Sequence, residues 1–121
     1  MMNDPAQNSR PNAAGSVEYA NRRAVPRYPF IAEAELADDA SSARMNVRTS
    51  ELSLKGCYLD MLNLLPEGST VHLRITKDTG IFECKGRVIY IHPGLGMGVS
   101  FTEMAPKDKA VLDGWLAALA G

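Results

Sequence analysis

Apolar and polar side chains alternate along most of this chain. From Tyr28 onward, Phe30, Ala32, Ala34 and Leu36 fall on one face, and Ile31, Glu33 and Glu35 on the other, the period of a half-buried strand. Asp38-Asp39-Ala40-Ser41-Ser42 has the residue types of a turn. A second strand, over about residues 43–52, sets Met45, Val47 and Thr49 against Arg44, Asn46 and Arg48. The turn Ser53 to Gly56 leads to a third strand, Cys57 to about Met61, in which Cys57, Leu59 and Met61 alternate with Tyr58 and Asp60. Leu65-Pro66-Glu67-Gly68 turns the chain into a fourth strand, Thr70 to Lys77, with Val71, Leu73 and Ile75 inward and His72, Arg74 and Thr76 outward. Asp78-Thr79-Gly80 makes a hairpin to a long fifth strand, Ile81 to His92. Gly86 inside that strand predicts a bulge or a tight bend. After His92-Pro93-Gly94-Leu95-Gly96, a sixth strand alternates Met97, Val99 and Phe101 with Gly98 and Ser100.

The two ends of the chain break this pattern. Leu112, Trp115, Leu116 and Leu119 recur at helical spacing, which predicts one amphipathic C-terminal helix. Pro106 suits its first turn, Gly114 weakens it and Gly121 ends it. Residues 1–21 show no periodicity and are rich in Asn, Ala, Pro, Ser and Gly, the composition of a disordered leader. Residues 22–121 then form one domain: mostly β, an antiparallel barrel or sandwich with a C-terminal α-helix over an opening.

Composition narrows the function classes. With 121 residues, 45% hydrophobic and 22% charged, the chain is an ordinary globular protein with room for one core. A net charge of −1 argues against sequence-blind binding of DNA or RNA, and not against a small anion held by a local cluster. No apolar run approaches a membrane span, and the leader lacks the apolar stretch of a secretory signal, so the expected location is cytoplasmic. The two cysteines, Cys57 and Cys84, lie among apolar neighbours and read as buried free thiols. His72 and His92 have no ligand spacing to them, so no metal site is expected.

The candidate chemistry is basic. Asn21-Arg22-Arg23-Ala24-Val25-Pro26-Arg27 concentrates arginines just before the first strand, and Pro26 predicts a loop there. Arginine suits bidentate recognition of phosphate oxygens and of guanine O6/N7. The spacing of Arg23 and Arg27 alone is a weak signal, because Arg44 and Arg48 repeat it in a strand, where they read as a solvated face. Ser53 and Gly56 form the second element. A turn serine often bonds a nearby backbone amide. A glycine marks a positive φ or a close approach, by another strand or by a ligand.

Taken together, Arg23-Ala24-Val25-Pro26-Arg27, Glu51-Leu52-Ser53-Leu54-Lys55-Gly56, Leu65-Pro66-Glu67-Gly68 and Gly96-Met97-Gly98-Val99-Ser100-Phe101 resemble a PilZ domain over about residues 22–120. The resemblance implies a six-stranded antiparallel β-barrel with a C-terminal helix that binds cyclic di-GMP. It assigns Arg23 and Arg27 to guanine edges and phosphates, Ser53 to phosphate or guanine, and Gly56 to close approach of a base. The residue before the first motif arginine, here Arg22, is implied to govern stoichiometry; an added guanidinium favours a stacked dimer of the ligand. Where the family prefers Asp or Asn, this chain has Glu51. It keeps an acceptor for guanine N1–H and N2–H but shifts it by roughly one C–C bond length, which predicts weaker binding.

Other classes fare worse. No nucleophile–base pair, carboxylate pair or metal spacing supports an enzyme. An oligonucleotide-binding barrel needs aromatics on an exposed sheet face, and the aromatic positions read mostly as core. About 100 folded residues leave no room for an output domain, so the resemblance implies relay to a protein partner. The alternative within the family is a degenerate adaptor that binds protein and no nucleotide, which Glu51 slightly favours.

Overall fold

The computed structural model describes residues 25–121. The leader and two of the predicted site arginines, Arg22 and Arg23, lie outside them. The six strands are β1 (Arg27–Asp38), β2 (Arg44–Ser53), β3 (Gly56–Asp60), β4 (Thr70–Lys77), β5 (Gly80–His92) and β6 (Gly96–Glu103), followed by helix α1 (Pro106–Ala120). Every pairing is antiparallel. The strands close into a barrel in the order β1-β2-β3-β6-β5-β4, which leaves no sheet edge to cover. Barrel, not sandwich, is the outcome between the two folds that the alternation allowed.

The inward faces of β1 and β4 follow the alternation. Phe30, Ala32, Ala34, Leu36, Val71, Leu73 and Ile75 are all buried. Phe82 fills the centre, 5.0 Å from the Phe101 ring. Barrel closure requires tight bends, and Gly86 supplies one. A Cβ there would stand 2.7 Å from Val99 Cγ1 and 2.9 Å from the Ser100 carbonyl oxygen, and the β5–β6 register shifts between Lys85 and Gly86. On β1 the ladder to β2 shifts between Pro29 and Ala32. The buried Thr49 hydroxyl donates to the Phe30 carbonyl at 2.7 Å there, satisfying a group the irregular ladder leaves free.

Helix α1 closes one opening. Leu112 is fully buried, while Trp115, Leu116 and Leu119 are half-buried against the core. The Trp115 ring lies 5.2 Å from Phe30 and 6.3 Å from Phe82. Gly80 lets it in, since a Cβ there would meet the indole at 3.0 Å. Asp108 in the first turn is buried and accepts the Glu83 N–H at 2.9 Å. Its carboxylate stands where β6, whose pairing with β5 stops at Lys85–Glu103, offers no partner.

Both cysteines are free and buried. Burial, and then Cys84, pushes the Cys57 thiol far above its ordinary range. Burial, and then the Asp108 carboxylate, pushes Cys84 up to about 12. The unfolded thiols ionise near the ordinary value of 9.0. Above that pH the unfolded chain sheds protons that the folded chain keeps. Their contribution to stability is therefore full below pH 9 and falls between about pH 9 and 12, by up to about 1.4 kcal/mol per pH unit for each thiol. Urea denaturation across this window should show that slope, and a Cys57→Ala/Cys84→Ala variant should flatten it. An equal slope in both proteins would remove the thiols from the account.

Candidate functional site

Two bulges aim the site. Met45, Val47 and Thr49 share a face, so strict alternation sends Glu51 inward. The β2–β3 register instead shifts between Thr49 and Glu51, which turns Leu52 into the core and leaves the Glu51 side chain 42% exposed. The same happens on β5. Phe82, Cys84 and Val88 point inward, and the shift between Val88 and Tyr90 moves Tyr90 to the outer face. Bulges re-aim side chains in this way because the extra residue reverses the two-residue period.

Arg27 opens β1 opposite Ser53; it belongs to the ladder and not to the preceding loop. Its guanidinium lies 3.6 Å from a Glu51 carboxylate oxygen, so two of the predicted site residues meet. Both are about half exposed, and the pair adds little stability. Its effect is to hold Arg27 along the barrel surface.

Ser53 and Gly56 form the turn between β2 and β3. The buried Ser53 hydroxyl accepts the Lys55 and Gly56 N–H groups, both at 3.1 Å, and faces the Gly56 carbonyl at 3.3 Å. Its hydrogen-bonding capacity is taken up inside the turn. Gly56 is not in the positive-φ region. It answers a close approach: a Cβ would sit 2.3 Å from the Val99 carbonyl oxygen. What comes near is strand β6, where Ser100 pairs with Gly56 and the Phe101 N–H donates to the Lys55 carbonyl at 2.8 Å.

These elements line an open groove of about 600 Å³, whose walls include Val25, Arg27, Glu51, Tyr90, Gly98 and Ser100. Gly96, Gly98 and Ser100 share the outward face of β6; Gly98 and Ser100 line the groove, and at the two glycines the strand presents bare backbone. Tyr58 on β3 and Tyr90 on β5 both pair with Gly98 and lean over this trough. Their rings are 6.2 Å apart, with His92 5.7 Å from Tyr58 and 5.1 Å from Tyr90. The Tyr58 hydroxyl and His92 Nδ1 share a hydrogen bond at 2.9 Å. Partial burial, then Tyr90, Asp60 and Glu51, raises the Tyr58 phenol above its ordinary pKa. Outer-face aromatics are thus present, against the expectation that aromatics serve mainly the core. Phe30 and Phe82 do serve it. The legible signal was Gly96-x-Gly98, since glycines on one strand face leave space for neighbouring rings.

The model of the PilZ domain family matches residues 21–118. The chain belongs to the PilZ domain family. No curated protein matches the sequence. Among solved structures, this PilZ domain is similar to the PilZ domain of CeSA from a cellulose-synthesizing bacterium, at 20% identity and a TM-score of 0.63 over 79% of this chain and 99% of that one. It is similar to the PilZ domain of Escherichia coli YcgR, solved with c-di-GMP, at 18% identity and a TM-score of 0.66 over 82% and 92%. The Bacillus subtilis inhibitor of motility MotI/DgrA aligns at 15% identity and a TM-score of 0.65 over 78% of this chain and 49% of that one. At such identities the likeness is one of fold.

Elsewhere on the PilZ barrel, Arg44 and Arg48 are exposed on β2, the solvated face expected of them. His72 is exposed and sits 3.1 Å from the Asp39 carboxylate. Among the described residues there is no cluster of His, Cys, Asp or Glu able to hold a metal ion, and no helix long and apolar enough to cross a membrane.

Proposed function

We propose that this PilZ domain is a c-di-GMP receptor that binds the dinucleotide in the groove beside β1, β2 and β6 and relays its occupancy to a protein partner. The observation that carries the reading is the meeting of Arg27 and Glu51 at a groove that begins at Val25. Arg22 and Arg23 enter this reading through the family motif, which runs on in sequence to Val25 and Arg27 at the groove. A YcgR domain of the same fold holds c-di-GMP. Arg23 and Arg27 bind guanine edges and phosphates through charge-assisted, partly bidentate bonds. Arg22 stacks on a guanine and favours a stacked pair of ligands. Glu51 accepts from guanine N1–H and N2–H once Arg27 turns to the ligand. Ser53 and Gly56 act by holding the turn that forms the groove wall.

Calorimetric titration with c-di-GMP, with GMP as the control, tests this. Saturation near two ligands per chain supports the role of Arg22, and one per chain keeps the receptor and discards the stacked pair. No heat at tens of micromolar ligand, with unchanged amide NMR shifts, leaves the second reading: an adaptor that binds protein only. The Arg27–Glu51 contact favours that second reading to the extent that it occupies both groups. Glu51→Asp separates the two effects. A carboxylate one methylene shorter frees Arg27 and restores the family's usual acceptor length. It should tighten c-di-GMP binding by about 0.5–1.5 kcal/mol, the scale of one freed long side chain. Weaker binding in that variant would make Glu51 an adapted ligand contact.

A further inference from the structure

The two most exposed large apolar side chains among the described residues stand on neighbouring segments, away from the groove. Leu62 is 76% exposed and Leu95 67%. Both lie at the end of the barrel where β3 and β5 finish and β4 and β6 begin, while α1 covers the other end beside Phe30 and Gly80. The Met61 N–H ties their segments together by donating to the Leu95 carbonyl at 3.2 Å. In the same β3–β4 loop, Leu64 and Leu65 pack against the core. Leu62 does not, so the barrel has no structural use for it.

Charge flanks these leucines with opposite signs. In the strand order β2-β3-β6-β5, Arg44 and Arg48 stand exposed on β2, to one side. On the other side exposed Glu67 is held beside β5, because the Gly68 N–H donates to the Val88 carbonyl at 2.7 Å. Among the described residues neither arginine has a carboxylate within 4.0 Å, and Glu67 has no cation. We infer that this barrel end docks a second copy of the chain about a twofold axis that passes between Leu62 and Leu95. A twofold contact needs a patch complementary to itself, and an apolar centre between flanks of opposite charge is one. The axis packs the leucines of both copies together and sets Arg44 and Arg48 of each against Glu67 of the other. An anionic membrane, the other surface that takes leucines beside arginines, is repelled by Glu67, by Asp60 opposite Arg48 and by Asp38 and Asp39 at the same end. The patch spans three strand spacings, roughly 14 Å, and is smaller than a standard interface of about 800 Å² per copy. The dimer is therefore weak and forms as concentration rises.

Sedimentation velocity on the full chain, without nucleotide and from micromolar to near-millimolar concentration, tests this independently of c-di-GMP binding. The average sedimentation coefficient should climb from the monomer towards the dimer value, and less steeply in high salt. Leu62→Ser/Leu95→Ser should weaken association about 10-fold or more. Both side chains are exposed, and an unchanged melting curve confirms that this variant folds. Arg44→Glu/Arg48→Glu should dissociate the dimer through like charge, and so should Glu67→Arg. Mixing these two variants should restore a dimer, because each then meets opposite charge on both flanks. A monomer at every concentration overturns the inference, and a monomer that binds phosphatidylglycerol vesicles reassigns the leucines to a membrane. A dimer that survives the leucine changes, or a charge-swapped mixture that stays monomeric, also overturns it.

Discussion

Gly56→Ala should lower the stability of the domain by about 3 kcal/mol or more, a fall of more than about 10 °C in Tm for a domain of this size. The added Cβ would meet the Val99 carbonyl oxygen at 2.3 Å, and the Val99 carbonyl carbon and Ser100 Cα at 3.3 Å. All three are backbone atoms of β6, so no side-chain rotation relieves the clash. Relief requires β3 and β6 to separate, which strains the Gly56–Ser100 pairing and the Phe101-to-Lys55 hydrogen bond. Thermal and urea denaturation measure the effect. The same variant separates two meanings of the motif glycine. An unchanged Tm with c-di-GMP binding abolished would make Gly56 a ligand contact and sink the strand-contact argument.

Arg27→Ala should have the opposite profile. A bond to a charged group contributes roughly 1.5–3 kcal/mol, and a bidentate arginine makes two. Affinity for c-di-GMP should therefore fall by about 100-fold or more. Stability should hardly change, because the Arg27–Glu51 pair is exposed on both sides at 3.6 Å and such pairs contribute at most about 1 kcal/mol. Arg48→Ala is the internal control. It removes an exposed strand arginine and should change neither quantity. Titration calorimetry and melting curves on the two variants decide the matter. An Arg27→Ala protein that keeps wild-type affinity would remove the arginine motif from the function.

The two variants act on different layers of one motif. Arg27 faces the groove. Ser53 and Gly56 are spent on the turn and on β6, so in the proposed receptor they act on the ligand through the shape they impose. A sequence motif does not mark that division. In one line of text, a serine that holds a turn and a serine that holds a phosphate look alike.

The local periodicities were sufficient for much of this barrel. Phe30, Ala32, Ala34 and Leu36 on β1, and Val71, Leu73 and Ile75 on β4, are buried as their spacing demands. Leu112, Trp115, Leu116 and Leu119 do face the core along α1. Burial on one face needs only the two-residue or helical period, a property of neighbouring positions. Gly86 was readable for a similar reason, since a glycine inside an apolar strand has few other uses. Closure into a barrel, in contrast, depends on β1 meeting β4, and β3 meeting β6, contacts between distant segments. The outward turn of Glu51 and Tyr90 needs bulges, whose placement is set by matching β2 to β3 and β5 to β6. The partner of the Ser53 hydroxyl, the strand that presses on Gly56 and the burial of Asp108 under β5 are likewise decided only when the chain folds back on itself. Arg27, Glu51, Ser53 and Gly56 were therefore legible in the chain as candidates, and the fold brings them to one groove. Which of them face the groove and which brace it depends on backbone geometry that no local pattern encodes.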